Sequence, residues 1–281
     1  MSDKAGATTS VRALLAADRA TDPLGVRPAD ARPGISDREA AEKAGEADRE
    51  ALAEWQERLH AGGRRSLLVV LQGLDTSGKG GVVEHVIGAV NPQGCRITGF
   101  KRPTDDEASH HYLWRIRRAL PAPGQVGIFD RSHYEDVLVP RVHGSIGEPE
   151  CATRYGEIVE FEAGLAAAGT TVVKCFLHIS YDEQRRRLLA RLADASKRWK
   201  FREGDIDERA HWHAYQDAYR LAVRSTHTPA APWYVVPADR KWYRNWAIGR
   251  ILVETFEEMS PEYPSPDLDL GRLRKRLAPP N

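Results

Sequence analysis

No stretch of apolar residues approaches the ~20 needed to cross a bilayer, and the N-terminus lacks the apolar core of a signal peptide. These absences predict a cytoplasmic protein without a membrane partner. Cysteine is scarce, with Cys95, Cys151 and Cys175 scattered and lacking metal-ligand spacing. They read as buried thiols in a reducing compartment, neither a disulfide framework nor a metal site. An excess of one charge is also missing. The 41 Lys and Arg against 40 Asp and Glu leave a net charge of +1, which gives no global sign of a nucleic-acid partner. His110 and His111 have no third ligand at metal spacing, so no metal role falls to them. Internal repeats are absent too.

What is present begins with alternation. In 281 residues of average hydrophobicity there is room for one large α/β domain or two small ones. Strand-like runs at 66–72, 95–100, 126–130, 171–180 and 233–236 are separated by helical segments. The helices fall near 79–90, 105–119, 151–168, 181–193, 207–226 and 241–258, after a leading one over 37–60 that Gly62 and Gly63 end. Within 79–90, Val82, Val83, Val86, Ile87 and Val90 share one face. Near-continuous apolar strands between helices predict a parallel sheet covered on both faces. Ligands of such sheets bind beyond the strand C-termini, where Gly73, Asp130 and Tyr181 fall. Residues 1–36, rich in Ala, Asp, Arg, Pro and Gly, predict a loosely ordered arm. Residues 37–260 make the domain, and 261–281 a polar, proline-punctuated tail.

The most specific signal is the strand 66–72 running into Gly73-Leu74-Asp75-Thr76-Ser77-Gly78-Lys79-Gly80. Gly73 and Gly78-Lys79 have the Gly-x4-Gly-Lys spacing that wraps backbone N–H groups around a phosphate and aims a lysine at it. Gly73, Thr76, Ser77, Gly78 and Gly80 are therefore candidate phosphate ligands. The dipole of the helix that follows favours the same anion. The Ser or Thr that would ligate magnesium after the lysine is replaced by Gly80, and an acid, Asp75, sits inside the loop. Phosphoryl transfer is the chemistry implied, with an unusual metal and substrate arrangement.

A second apolar strand ends in Asp130, followed by Arg131. A strand-terminal acid alone is a common turn former, but beside such a loop it reads as a magnesium-positioning site. Arg131 is placed to grip a phosphate. His133 is a candidate base or, more simply, a hydrogen-bonding structural residue. Glu135 and Asp136 are either supporting acids or surface charges. From Arg185 to Arg202 run Arg185, Arg186, Arg187, Arg191, Lys197, Arg198, Lys200 and Arg202, with Asp194 the one acid. This basic stretch stands where nucleoside monophosphate kinases carry an arginine-bearing lid, here about 182–210. A solvated helix face is its plainer alternative. Trp199 and Phe201 within it either stack on a base or anchor the lid. Lys101 and Arg102 follow the second strand as a candidate phosphate clamp.

With these segments in view, the chain resembles the polyphosphate kinase 2 family. The matching stretches are LLVVLQGLDTSGKGG, NPQGCRITGFKRPT, YLWRIRRALPAPGQVGIFDRSHYEDVLVPRVH, FLHISYDEQRRRLLAR and APWYVVPADRKWYRNW, which span roughly 50–256. The resemblance implies a P-loop kinase-like three-layer α/β/α fold with a five-stranded parallel sheet and a helical lid. It implies reversible transfer of a terminal phosphoryl group between inorganic polyphosphate and AMP, ADP, GMP or GDP. The cofactor would be Mg²⁺, or Mn²⁺ in its place. In that family Gly-x-Asp-x-x-Gly-Lys is standard, which maps onto Gly73, Asp75, Gly78 and Lys79. Its acid–arginine pair maps onto Asp130 and Arg131, so that Asp75, Lys79, Asp130 and Arg131 would be catalytic and Asp75 and Asp130 would hold the metal. Lid arginines fall within Arg185–Arg191, and Arg185, Arg187, Arg191, Lys197 and Lys200 are candidate phosphate ligands. The stretch after Arg131 is similar to members acting on monophosphates or on both mono- and diphosphates. A homodimer or homotetramer is expected by the same resemblance. Two rivals are an ATP-dependent kinase of a nucleotide or small metabolite and a non-catalytic phosphate-binding module.

Overall fold

In the computed structural model, which describes residues 10–277, five strands alternate with helices. The chain enters through α1 (Val11–Leu15) and α2 (Arg38–Gly62), then β1 (Ser66–Gln72) and α3 (Lys79–His85). Next come β2 (Cys95–Gly99), α4 (Asp105–Ala108), α5 (Leu113–Ala119) and β3 (Val126–Asp130). Helices α6 (Glu135–Val142) and α7 (Glu148–Ala167) lead to β4 (Thr170–His178). The remainder is α8 (Tyr181–Ala193), α9 (Gly204–Ala210), α10 (Trp212–Thr226), β5 (Trp233–Pro237), α11 (Lys241–Met259) and α12 (Leu270–Leu277). The strand order β2-β3-β1-β4-β5, with every pair parallel, puts β1 at the centre.

Alternation along β1 builds both cores. Leu67, Val69 and Leu71 face the cluster formed with α1, α2, α3 and α11, while Leu68 and Val70 face that of α5, α6, α7 and α10. Each such side chain contributes about 1.5–3 kcal/mol by leaving water, and all seven β1 residues are buried. The result is the three-layer α/β/α architecture with a five-stranded parallel sheet that the sequence implies. Because the strands are parallel, their C-termini share one edge. There Arg131 N–H donates to Leu71 O and Phe100 N–H to Asp130 O, both at 3.0 Å. The exits of β1, β2 and β3 are thus fixed side by side.

Several expectations need correcting. Residues 10–36 do not form a loosely ordered arm. Val11 and Leu15 are buried, and Glu254 accepts from Ser10 Oγ and the N–H groups of Val11 and Arg12. Ala17 N–H donates to Trp233 O, so this segment covers the edge of β5. A five-residue helix is too short for periodicity to reveal. Residues 1–9 of that arm lie outside the described residues. Three long helices are also interrupted. The first continues beyond His85 only as a 3-10 turn (Ile87–Ala89), the second divides into α4 and α5, and the fifth into α9 and α10. Helix α6, with Pro140 inside it, escaped detection because eight residues around a proline do not read as helix. Within the expected tail stands α12, which buries no residue. Among the described residues no helix is long and apolar enough to cross a membrane.

Candidate active site

The β1–α3 loop owes its shape to glycine at two positions. Gly73 (φ +150°) could not carry a Cβ, which would meet Leu177 O at 2.8 Å and Ser77 Oγ at 2.7 Å. Gly78 (φ +105°) packs so closely on Arg244 that a Cβ would lie 1.7 Å from its Nη1. Thr76 adopts φ 62°, strain that this loop and its surroundings hold in place. Inside the loop the Thr76 and Ser77 hydroxyl oxygens are buried without a hydrogen-bond partner. Gly80 faces open space.

Lys79 is buried at the first position of α3, and its Nζ donates to Gly73 O at 2.9 Å. Burial and then Arg131 push its pKa below the ordinary lysine range, against the pull of Asp130, Asp75 and Glu135. Those same groups are therefore its electrostatic neighbours, and the structure brings Asp75, Lys79, Asp130 and Arg131 to one site. Arg131 has φ 65°. Burial opposes its charge, but Glu135 and Asp130 outweigh burial and raise its pKa; its Nε lies 3.8 Å from Glu135. Asp75 accepts from Arg191 Nη1 at 3.0 Å, and Arg191 also faces Asp205 at 3.7 Å.

Beside this group opens a cleft of about 770 Å³. Lys101, Arg102, Arg115, Arg131 and Arg209 supply its cations, and Phe100, Pro103, Leu138, Val139 and Tyr215 an apolar wall. Arg115, not singled out from the sequence, anchors the Lys101 segment. Its guanidinium donates to Lys101 O at 2.8 Å and to Asp136 at 2.9 Å, so Asp136 is a structural partner. Glu135, ambiguous in sequence, lines the cleft. Burial raises its pKa, with Arg131 and Lys79 opposing. With the Gln72 amide oriented to satisfy its neighbours, its nitrogen donates to Glu135 Oε1 at 2.9 Å and its oxygen accepts from Ser132 N–H at 3.1 Å.

The basic stretch divides. Arg187 is buried and does not point at a ligand. It donates to Thr76 O (2.8 Å), Ser77 O (3.1 Å), Ala238 O (2.6 Å), Asp239 O (2.9 Å) and Glu183 (2.6 Å), so it braces the loop from behind. This corrects its expected role as a phosphate ligand, since its donors are already spent. Arg191 reaches the site through Asp75. Arg185, Lys197 and Lys200 are exposed and do not line the cleft. Lys197 pairs with Asp194 at 2.8 Å, and Lys200 sits over Trp199, itself 77% exposed and anchoring nothing. His133 is fully buried, its Nε2 3.2 Å from Glu162 Oε1. Its role is structural. Glu162 in turn accepts from Lys174 Nζ at 2.5 Å and from Tyr134 Oη at 2.9 Å.

As for a metal, Asp130 Oδ1 is buried without a hydrogen-bond partner, and Asp75 offers a second hard oxygen donor. One or two carboxylates completed by substrate phosphates suit a divalent cation of the magnesium type. No group of three or more His, Cys, Asp or Glu able to hold a metal occurs among the described residues, so no all-protein cage competes with that arrangement.

A glycine loop flanked by cations and acids at the C-terminal edge of a parallel sheet defines a transferase of phosphate groups. The sequence pattern of the family described as Polyphosphate kinase 2 matches residues 35–264, and the chain belongs to that family. It is 50% identical over 216 residues to an AMP/ADP-polyphosphate phosphotransferase of Meiothermus ruber, covering 77% of this chain and 81% of that one. It is 41% identical to an ADP-polyphosphate phosphotransferase of Rhodopseudomonas palustris, over 76% of this chain and 78% of the relative. The crystal structure of Polyphosphate Kinase 2 from Arthrobacter aurescens TC1 superposes with a TM-score of 0.93 at 44% identity, covering 96% and 97% of the two chains.

Proposed function

We propose that the chain transfers a terminal phosphoryl group reversibly between inorganic polyphosphate and a nucleoside mono- or diphosphate, AMP or ADP foremost and GMP or GDP as further acceptors. The observation that carries this reading is the cleft, which joins an apolar wall for a nucleoside to Lys101, Arg102 and Arg131 beside the phosphate loop. Relatives named for AMP and ADP point to the same acceptors.

The difficulty in such a reaction is charge, because two polyanions must meet. Lys79 and the loop N–H groups hold the transferring phosphoryl. Arg131 and the Lys101–Arg102 segment hold the acceptor phosphate, and Glu135 orients Arg131. An acceptor phosphate oxygen is already anionic near neutral pH, so alignment for in-line attack matters more than a base. Asp75 and Asp130 would hold Mg²⁺, or Mn²⁺ in its place, which when bound supplies positive charge to the phosphate oxygens. Arg191, tethered to Asp75, brings the α8–α9 lid onto the site.

A donor–acceptor matrix tests this: purified protein with Mg²⁺, polyphosphate or ATP as donor, and AMP, ADP, GMP or GDP as acceptor. Turnover with polyphosphate and an adenine nucleotide is expected. Activity with ATP as sole donor overturns the reading in favour of an ordinary nucleotide kinase, and binding without turnover in favour of a regulatory module.

A further inference from the structure

Another cavity, of about 350 Å³, lies between α2, α11 and the end of α3, and it shares no lining residue with the cleft. Glycines on the facing helices open it. A Cβ at Gly45 would meet only Arg49 Nη1, at 3.7 Å, and one at Gly249 would meet Asp48 Cβ and Val86 Cγ1 at 3.9 Å, all ordinary contacts. Packing demands glycine at neither place, and the room left by the missing side chains is the recess. Its wall holds Trp242 and Trp246, one turn apart on α11, and Asp48, 5% exposed. Asp48 Oδ1 accepts from Arg250 Nη1 at 2.8 Å, but Oδ2 is buried without a partner, which costs stability unless a donor reaches it. Burial raises the Asp48 pKa, with Arg250 opposing. Arg38, Arg49 and Lys241 stand around the recess against Glu42 and Asp48. Glu42 is already paired with Arg38 at 2.7 Å, whereas Arg49 has no acid partner among the described residues.

We propose that this recess between α2 and α11 is a second nucleotide site, which takes a purine nucleoside monophosphate and bears on the phosphate loop. The chemistry of the wall selects the ligand. Two indoles offer apolar faces to a flat ring. The free Asp48 oxygen accepts from a ring amino group or a ribose hydroxyl, and Arg49 takes the phosphate. The volume suits one such molecule, at the small end of the ~300–1,000 Å³ typical of ligand sites. The recess also touches both elements that hold the loop. His85 and Val86 in its wall stand at the end of the helix that Lys79 begins. Asn245, in the wall as well, accepts from Arg244 Nη2 at 2.7 Å and Nε at 3.1 Å. That guanidinium packs on Gly78 and lies 3.4 Å from Ser77 O. A ligand bonded to Asn245 therefore reaches the loop through one side chain.

Gly45→Leu is the test, because leucine is the better helix former and its side chain would fill the recess far from the cleft. Equilibrium dialysis against labelled AMP, with no phosphoryl donor present, should count two AMP per wild-type chain and one per variant chain. Adenosine should occupy the second site about fivefold more weakly than AMP, the loss of one exposed ion pair, and tripolyphosphate should not displace AMP from it. Asp48→Asn can keep its oxygen on Arg250 and turn an N–H toward the ligand, so it should weaken the second site about tenfold and leave the first unchanged. One AMP per wild-type chain overturns the site, as do two per Gly45→Leu chain or displacement by tripolyphosphate at equal concentration. For the link to the loop, saturating AMP should slow amide hydrogen exchange across residues 74–80 about fivefold more in the wild type than in Gly45→Leu. Equal slowing overturns that link, since the cleft is filled in both proteins. None of these measurements needs a donor, so they decide the site even if polyphosphate supports no turnover and the proposed function fails.

Discussion

Lys79 and Glu135 show how the site is held away from its own stability optimum. The lysine ammonium is buried and bonded to Gly73 O, a donor position that a phosphate oxygen would take over. Replacing it with methionine removes charge where transition-state charge develops, so Lys79→Met should lower turnover about a thousandfold. Its far-ultraviolet circular dichroism should match the wild type, and activity within tenfold of wild type would contradict the placement. Glu135 is the converse. Burial raises its pKa, so the folded state keeps the proton to higher pH than the unfolded chain. Its contribution is complete below the ordinary glutamate range and declines as pH rises through the raised value. Glu135→Gln should therefore raise the midpoint of thermal unfolding near pH 7 by about 2 °C, with the gain vanishing near pH 4. Activity should fall, because an amide cannot pair with Arg131. Calorimetry at the two pH values checks the sign.

At the scale of elements, the turn from β3 into α6 is seated on a buried ion pair. Lys174 on β4 and Glu162 on α7 are both fully enclosed, joined at 2.5 Å, with Tyr134 and Thr226 taking the remaining lysine donors. Burial opposes the Glu162 charge, yet Lys174 outweighs it and holds the carboxyl below the usual range. Lys174→Met takes away that carboxylate's lysine partner, leaving it His133 and Tyr134, and should cost about 3 kcal/mol, read from the urea midpoint. The double variant Lys174→Met with Glu162→Leu should recover most of the loss. How much of this was legible in sequence follows from range. The five strands and the Gly73–Lys79 spacing depend on neighbours along the chain, so they could be read directly. The bracing of Thr76 and Ser77 by Arg187 depends on a residue more than 100 positions away. The requirement for glycine at 78 is set by Arg244, still more distant. A run of arginines shows that charge is dense, but not which guanidinium turns inward.

For the whole molecule, the two ends of the described chain contribute unequally although both are polar in composition. At the start, Val11, Leu15 and Ala17 are buried against α11 and β5, and Glu254 gathers Ser10 and two backbone N–H groups. At the other end, α12 carries Leu270, Leu273 and Leu277 yet buries none of them. Stability depends on apolar area removed from water, so the two truncations should diverge. Deleting residues 1–17 should cost about 3–5 kcal/mol, the transfer of two aliphatic side chains plus an exposed sheet edge. Deleting residues 265–281 should change stability by less than about 0.5 kcal/mol, since the Arg58–Tyr263 contact is kept. Urea unfolding of the two variants measures both costs. Turnover should survive the C-terminal cut, because among the described residues none beyond 264 lines the cleft. A C-terminal truncation as damaging as the N-terminal one would mean that α12 is covered in solution by a surface outside its own chain.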